Sequence, residues 1–237
     1  MSTGAGFHYV RDIAPAAWIR GRLHPSARDV GSFVPEGFEA YVRLLHPAYR
    51  DGEPVTWRRI ADANGCTIHS EMQFGNIAGS WQSSRNPELW TQPPRPGTLP
   101  AELARALVGV LRSHTGSSEQ CWFAVWVGWG LPGTQAGLPQ LVTSRREYYL
   151  AGGPLDDALR GVYGESFGYQ SASMWWPEDR SWFVSTEVDL AYTYVGGTRE
   201  CVTAVAGHPK IEAVSARLTD GVTWDSDKVN PTPGPPD

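Results

Sequence analysis

The chain has 237 residues, a net charge of −5, 26 glycines, 19 prolines and only 19% charged residues. A chain of this length buries a sizeable core without disulfide or metal staples, and Cys66, Cys121 and Cys201 lie too far apart for a zinc ribbon or a thioredoxin motif. The basic residues are scattered, adjacent only at Arg58–Arg59 and Arg145–Arg146, which excludes the positive stripe of a nucleic-acid binder, and no apolar run approaches a membrane span.

Eleven tryptophans point either to an aromatic core or to an aromatic-lined groove. The N-terminus, MSTGAGFHYVRD, has no basic and apolar leader pattern, so a cytoplasmic protein is expected. The abundance of glycine and proline favours many short elements over long helices.

The first twelve residues read as a loose arm with a short strand near Phe7–Val10. Trp18, Ile19 and Leu23 at helical spacing, with Pro15 early, predict a helix over 14–23. Phe38–Leu45 alternates as a strand after the Pro35-Glu36-Gly37 turn. Thr56 caps a short helix over 57–63 that stops at Asn64-Gly65. Residues 66–97 show no periodicity and read as a packed loop with Trp81 and Trp90 as plugs.

A clear amphipathic helix follows near 98–114, with Thr98 as its expected cap and Leu103, Leu107, Val110 and Leu111 on one face. Cys121–Trp129 is apolar on both alternating faces, the signature of a central strand. Strands are expected at 141–143 and 147–150, with a short helix after Pro154.

Residues 171–175 and 181–188 form a hairpin around a Trp176-Pro177-Glu178-Asp179 turn. Tyr192–Val195 continues extended, Thr198 caps a helix over 199–206, and 211–218 is the last strand. From Asp225 the chain is polar and Pro-rich, which sets a boundary between one domain at 1–224 and a disordered tail at 225–237.

The chemistry-bearing residues concentrate in and beside this hairpin. Glu187 and Asp189 are two apart in an extended segment and therefore share a face, where they could act as acid and base or hold a cation. Glu178, Asp179 and Arg180 fit the turn; the plainer reading pairs Glu187 with an arginine such as Arg145 or Arg180. Arg145, Arg146 and Tyr148 beside Trp175 and Trp176 would form an arginine–aromatic binding patch if those rings are exposed.

Other motifs are weaker. No histidine or carboxylate spacing defines a metal site, and the residues name no cofactor. Gly164-Glu165-Ser166-Phe167-Gly168 fits G-x-S-x-G, but a helix precedes it where the nucleophile elbow needs a strand. Cys66 has His69 three residues on, the minimum for a thiol with a base.

The motifs MWWPEDRSW (174–182), TEVD (186–189) and TYVGG (193–197) resemble a group of uncharacterised soluble proteins of GC-rich bacteria, over roughly residues 140–218. That resemblance implies a shared fold and carries over no catalytic residue.

The fold expected is α+β: a mostly antiparallel sheet built from 38–45, 120–129, 140–150, 171–188 and 210–218, with helices near 98–114 and 198–206 packed on it and a Trp-rich core. The function expected is non-enzymatic binding, immunity- or adaptor-like, of a protein partner or small ligand through the aromatic and acidic hairpin. Self-association is left open. The alternative is a hydrolase or transferase using Glu187 and Asp189, metal-assisted or with Ser166 as nucleophile.

Overall fold

The computed structural model describes residues 7–26, 28–81, 86–130, 137–163 and 168–233. Its centre is an eight-stranded antiparallel sheet. In chain order the strands are β1 (Ala40–Leu45), a separate hairpin β2 (Ala48–Arg50) and β3 (Glu53–Val55), β4 (Cys121–Trp126), β5 (Gln140–Val142), β6 (Glu147–Gly153), β7 (Met174–Pro177), β8 (Trp182–Ser185), β9 (Tyr192–Gly197) and β10 (Ala213–Ala216). In space the large sheet runs β10-β1-β9-β8-β7-β4-β6-β5. The hairpin of β7 and β8 lies at the middle of this order, and β4 beside it is central, as an apolar pattern on both faces requires.

Five α-helices cover both faces: α1 (Ala17–Arg20), α2 (Trp57–Ala63), α3 (Phe74–Ala78), α4 (Ala101–Leu111) and α5 (Arg199–Ala206). One core lies under α4 and α5 and holds Val42, Leu44, Phe123, Trp175, Trp182 and Val195. The other lies under α1, α2 and α3 and holds Leu45, Trp57, Trp90, Trp176, Phe183 and Tyr194.

Alternation along β7 sends adjacent tryptophans to opposite cores. Trp175 meets Trp182 edge-on with ring centroids 5.5 Å apart, while Trp176 stacks on Phe183 at 5.6 Å. The Trp182 indole N–H donates to the Leu111 carbonyl at 3.2 Å, pinning the end of α4 to the sheet.

Local signals place several elements where the sequence puts them. Thr56 and Thr198 cap α2 and α5, each hydroxyl accepting the backbone N–H three residues on at 3.2 Å. Other expectations are corrected. Thr98 does not cap α4, because its hydroxyl donates to the Gln170 amide oxygen Oε1 at 2.6 Å, and Pro100 takes the cap position. The helix expected over 14–23 is a 3₁₀ turn at Ala14–Ala16 followed by the single turn of α1.

Pro177 is the last residue of β7, opposite Cys121, and opens a turn shifted one residue on from the expected one, with Glu178 and Asp179 at its centre and the Arg180 N–H donating to the Pro177 carbonyl at 2.9 Å. Arg180 closes the turn with a left-handed φ of 56°. The aperiodic 66–97 segment holds α3, and Trp90 is buried against Phe74, as a packed plug should be. Residues 225–233, polar enough in composition to suggest a loose tail, return to this segment: Asp227 is 2% exposed and accepts from His69 Nε2 at 2.9 Å and the Gln73 N–H at 3.3 Å. No helix among the described residues is long and apolar enough to cross a membrane.

Candidate functional site

The hairpin carboxylates divide between the two ends of β8. At the turn, Asp179 accepts from the Thr115 hydroxyl at 2.8 Å, the Gly116 N–H at 2.8 Å and the Ser181 N–H at 3.0 Å. Burial alone would raise its carboxyl, but these donors outweigh it and hold Asp179 below the ordinary carboxylate range. Glu178 accepts the Trp122 indole N–H, and the Arg180 guanidinium stands 5.4 Å from the Trp18 ring centre. Each exposed turn residue therefore closes a contact within its own chain.

At the other end, Glu187 and Asp189 do come together, around Arg146. Arg146 Nε donates to Glu187 Oε1 at 2.7 Å, while Nη2 lies 2.6 Å from both Glu187 Oε1 and Asp189 Oδ2. The Glu187 side chain is 6% exposed and that of Asp189 71% exposed. Burial would lower the Arg146 guanidinium, but the two carboxylates raise it above its ordinary value, and its plane also covers Trp126 at 4.8 Å.

The arginine–aromatic patch does not assemble as expected. Trp175 and Trp176 are 2% and 0% exposed and belong to opposite cores. Tyr148 is buried, and Arg145 lies 5.7 Å from the Phe33 ring centre. A recess lined by Ser173, Glu187 and Tyr148 holds about 10 Å³, room for about one water.

The thiols and histidines are also engaged. Burial pushes Cys121 up to about 12 and Cys201 up to about 11, and burial followed by the Asp227 charge raises Cys66, so none is activated as a thiolate. The His69 imidazole accepts the Glu71 N–H on Nδ1 at 3.3 Å, which leaves Nε2 to donate to Asp227 at 2.9 Å. Both nitrogens are taken, and the Nδ1 lone pair is already engaged by Glu71 and not free to act as base for Cys66. Among the described residues no group of three or more His, Cys, Asp and Glu could hold a metal ion. Glu165 and Ser166 of the G-x-S-x-G match lie outside the described residues.

A much larger concavity than this recess lies elsewhere, where three distant segments meet. It is an open cleft of about 780 Å³ between the β2–β3 hairpin, α4 and the 208–212 connection that leads into β10. Leu45, Leu103, Ala106 and Ile211, each no more than 9% exposed, form an apolar floor, and Pro47, Tyr49 and Pro54 form one wall. Arg58, Arg105 and Lys210 reach it from α2, α4 and the connection, joined by His208, Glu102 and Glu212.

Two polar residues, the partly buried Glu212 and the fully buried His46, fix this frame. Glu212 accepts the N–H groups of Trp57 and Arg58, both at 2.7 Å, while its own carbonyl accepts from Leu45 N–H at 2.9 Å. Burial raises its carboxyl above the ordinary range in spite of those donors. The first turn of α2 is thereby tied to the strand end that floors the cleft.

His46, beside Pro47, is fully buried, and burial lowers its imidazole to about 4. It is therefore neutral at pH 7, with a definite tautomer. The Arg95 carbonyl can only accept, so Nδ1 (3.1 Å away) carries the proton. Nε2 then accepts the Thr193 hydroxyl at 2.9 Å, and Thr193 accepts the Thr186 hydroxyl at 2.7 Å. The His46 carbonyl accepts the Trp57 indole N–H at 2.7 Å.

Sequence reasoning missed the cleft because its lining is individually ordinary: prolines, aliphatics and scattered cations drawn from 45–58, 100–106 and 208–212. Comparison with protein-family models, curated proteins and solved structures finds no match for this chain.

Proposed function

We propose that this is a non-catalytic binding protein whose ligand site is the cleft between the β2–β3 hairpin, α4 and the 208–212 connection. The observation that carries the reading is the cleft itself: about 780 Å³, a buried apolar floor and a few polar groups at the rim. Ligand pockets typically span roughly 300–1,000 Å³ with this mixture of lining.

Support also comes from the groups that would serve a reaction. Glu187 and Asp189 share one guanidinium, His69 has both nitrogens engaged, and all three thiols are raised. An acid–base pair needs one member free to take a proton from substrate, and the geometry around Arg146 does not favour that. Partner binding through the hairpin loses its aromatic anchors, since Trp175 and Trp176 are interior.

The test uses N-phenyl-1-naphthylamine, a neutral probe that fluoresces in apolar surroundings. The folded protein should give a saturable rise in emission. Ala106→Trp, which fills the floor, and Pro209→Trp, which obstructs the exposed rim, should each abolish it while melting stays cooperative. No saturable signal, or the same signal in both variants, contradicts the reading.

A further inference from the structure

We infer that the cleft selects a small organic carboxylate with a short apolar body; this rests on the cleft being the ligand site. Three cations converge on it from three separate elements: Arg58 on α2, Arg105 on α4 and Lys210 on the connection before β10. None of the three has an ion-pair partner among the described residues. Arg112, Arg146, Arg160 and Arg217 are matched to aspartate or glutamate, whereas Arg20, Arg22, Arg59 and Arg95 elsewhere also have no such partner among the described residues; what sets the cleft apart is that three such cations converge on one floor. Unmatched cations gathered over an apolar floor, on a chain of net charge −5, make a local field of opposite sign to the whole.

The two carboxylates at the cleft offset this only in part. Glu212 lines the cleft and feels the Arg58 charge, but its oxygens are taken up by the Trp57 and Arg58 N–H groups. Glu102 sits on the first turn of α4, where a negative charge suits the helix dipole. The lining then holds three cations against two carboxylates, and only Glu102 has no backbone N–H donor of its own among the described residues.

The apolar body of the ligand would lie on Leu45, Leu103, Ala106 and Ile211, and its carboxylate would meet a guanidinium fork at the rim, the strongest class of hydrogen bond available there. A phosphate monoester would bring a second negative charge towards Glu102. A neutral ligand would leave the rim charges without a role.

The experiment displaces N-phenyl-1-naphthylamine with octanoate, 1-octanol and octylamine, which share one tail and differ in head group. Octanoate should displace the probe at about tenfold lower concentration than octanol, the effect of one good charge-assisted contact. Added salt should narrow the gap, as exposed charges are screened. The triple variant Arg58→Gln, Arg105→Gln, Lys210→Gln should keep probe binding and bring octanoate and octanol within about threefold of each other.

Equal potency of octanoate and octanol on the unmodified protein, or a preference for octylamine, overturns the carboxylate selectivity and leaves the cleft reading standing. An undiminished octanoate preference in the triple variant also overturns it, because the cations would not be its source. Failure of the probe to bind at all removes the cleft reading and the selectivity with it.

Discussion

The hairpin around β7 and β8 and the cleft beside α4 differ in a way their composition conceals. The hairpin carries most of the conspicuous chemistry: three tryptophans, four carboxylates and a left-handed arginine. Nearly all of it is matched inside the fold, the tryptophans to the two cores and the carboxylates to Arg146, Trp122, the Thr115 hydroxyl and the Gly116 N–H. The cleft carries unremarkable residues, but its cations have no ion-pair partner among the described residues and its floor faces an open volume. Functional potential follows what a side chain still lacks and not which type it is. Matched residues are expected to govern stability, and unmatched ones to govern binding.

The largest effect that would break this contrast is in the hairpin. Trp182 is fully buried, edge-on to Trp175 and hydrogen-bonded to Leu111, so Trp182→Ala should cost about 3–5 kcal/mol in urea unfolding. A loss below 1 kcal/mol would mean that the hairpin is not the centre of the core. Arg146→Met leaves Glu187 buried without its counter-charge and should cost about 3 kcal/mol. The double variant Arg146→Met, Glu187→Leu should recover much of that, since replacing both partners removes the desolvated charge.

His46 provides a pH test of the matched interior. The unfolded imidazole binds a proton below about pH 6.5, whereas burial keeps the folded one neutral down to about 4. Within that window the unfolded state binds more protons, so stability falls as pH falls, by roughly 3 kcal/mol in all. His46→Gln should flatten this slope; an unchanged slope would show that another group carries it.

Smaller effects are expected where exposure is high. Asp189→Asn should cost less than about 1 kcal/mol, because the side chain is 71% exposed. Arg105→Gln at the cleft should leave stability within about 0.5 kcal/mol of the unmodified protein. A large loss there would mean that Arg105 is structural.

How much was legible in the sequence follows the range of each interaction. Thr56 and Thr198 were readable as caps because the hydroxyl meets an N–H only three residues away. Cys121–Trp126 was readable as a central strand because both of its faces are apolar. Thr98 looked like the same kind of cap, but its hydroxyl is claimed by Gln170, 72 residues on, which no local pattern announces. Asp227 and Asn230 draw 225–233 back onto Thr67, His69 and Gln73 through contacts more than 150 residues apart in sequence, against a composition that reads as a tail. The pairing of Glu187 and Asp189 was half visible: the shared face is a matter of strand period, but Arg146 as their common partner depends on the packing of a distant strand end. The cleft left no trace in the sequence, because three segments contribute to it and none contains a motif.

The most direct measurement is a ¹⁵N–¹H chemical-shift titration of the labelled protein with octanoate. The account predicts saturable shifts clustered at residues 45–58, 100–106 and 208–212, with 141–150 and 174–189 unmoved. Shifts centred on the hairpin, or none anywhere up to the solubility of octanoate, would contradict it.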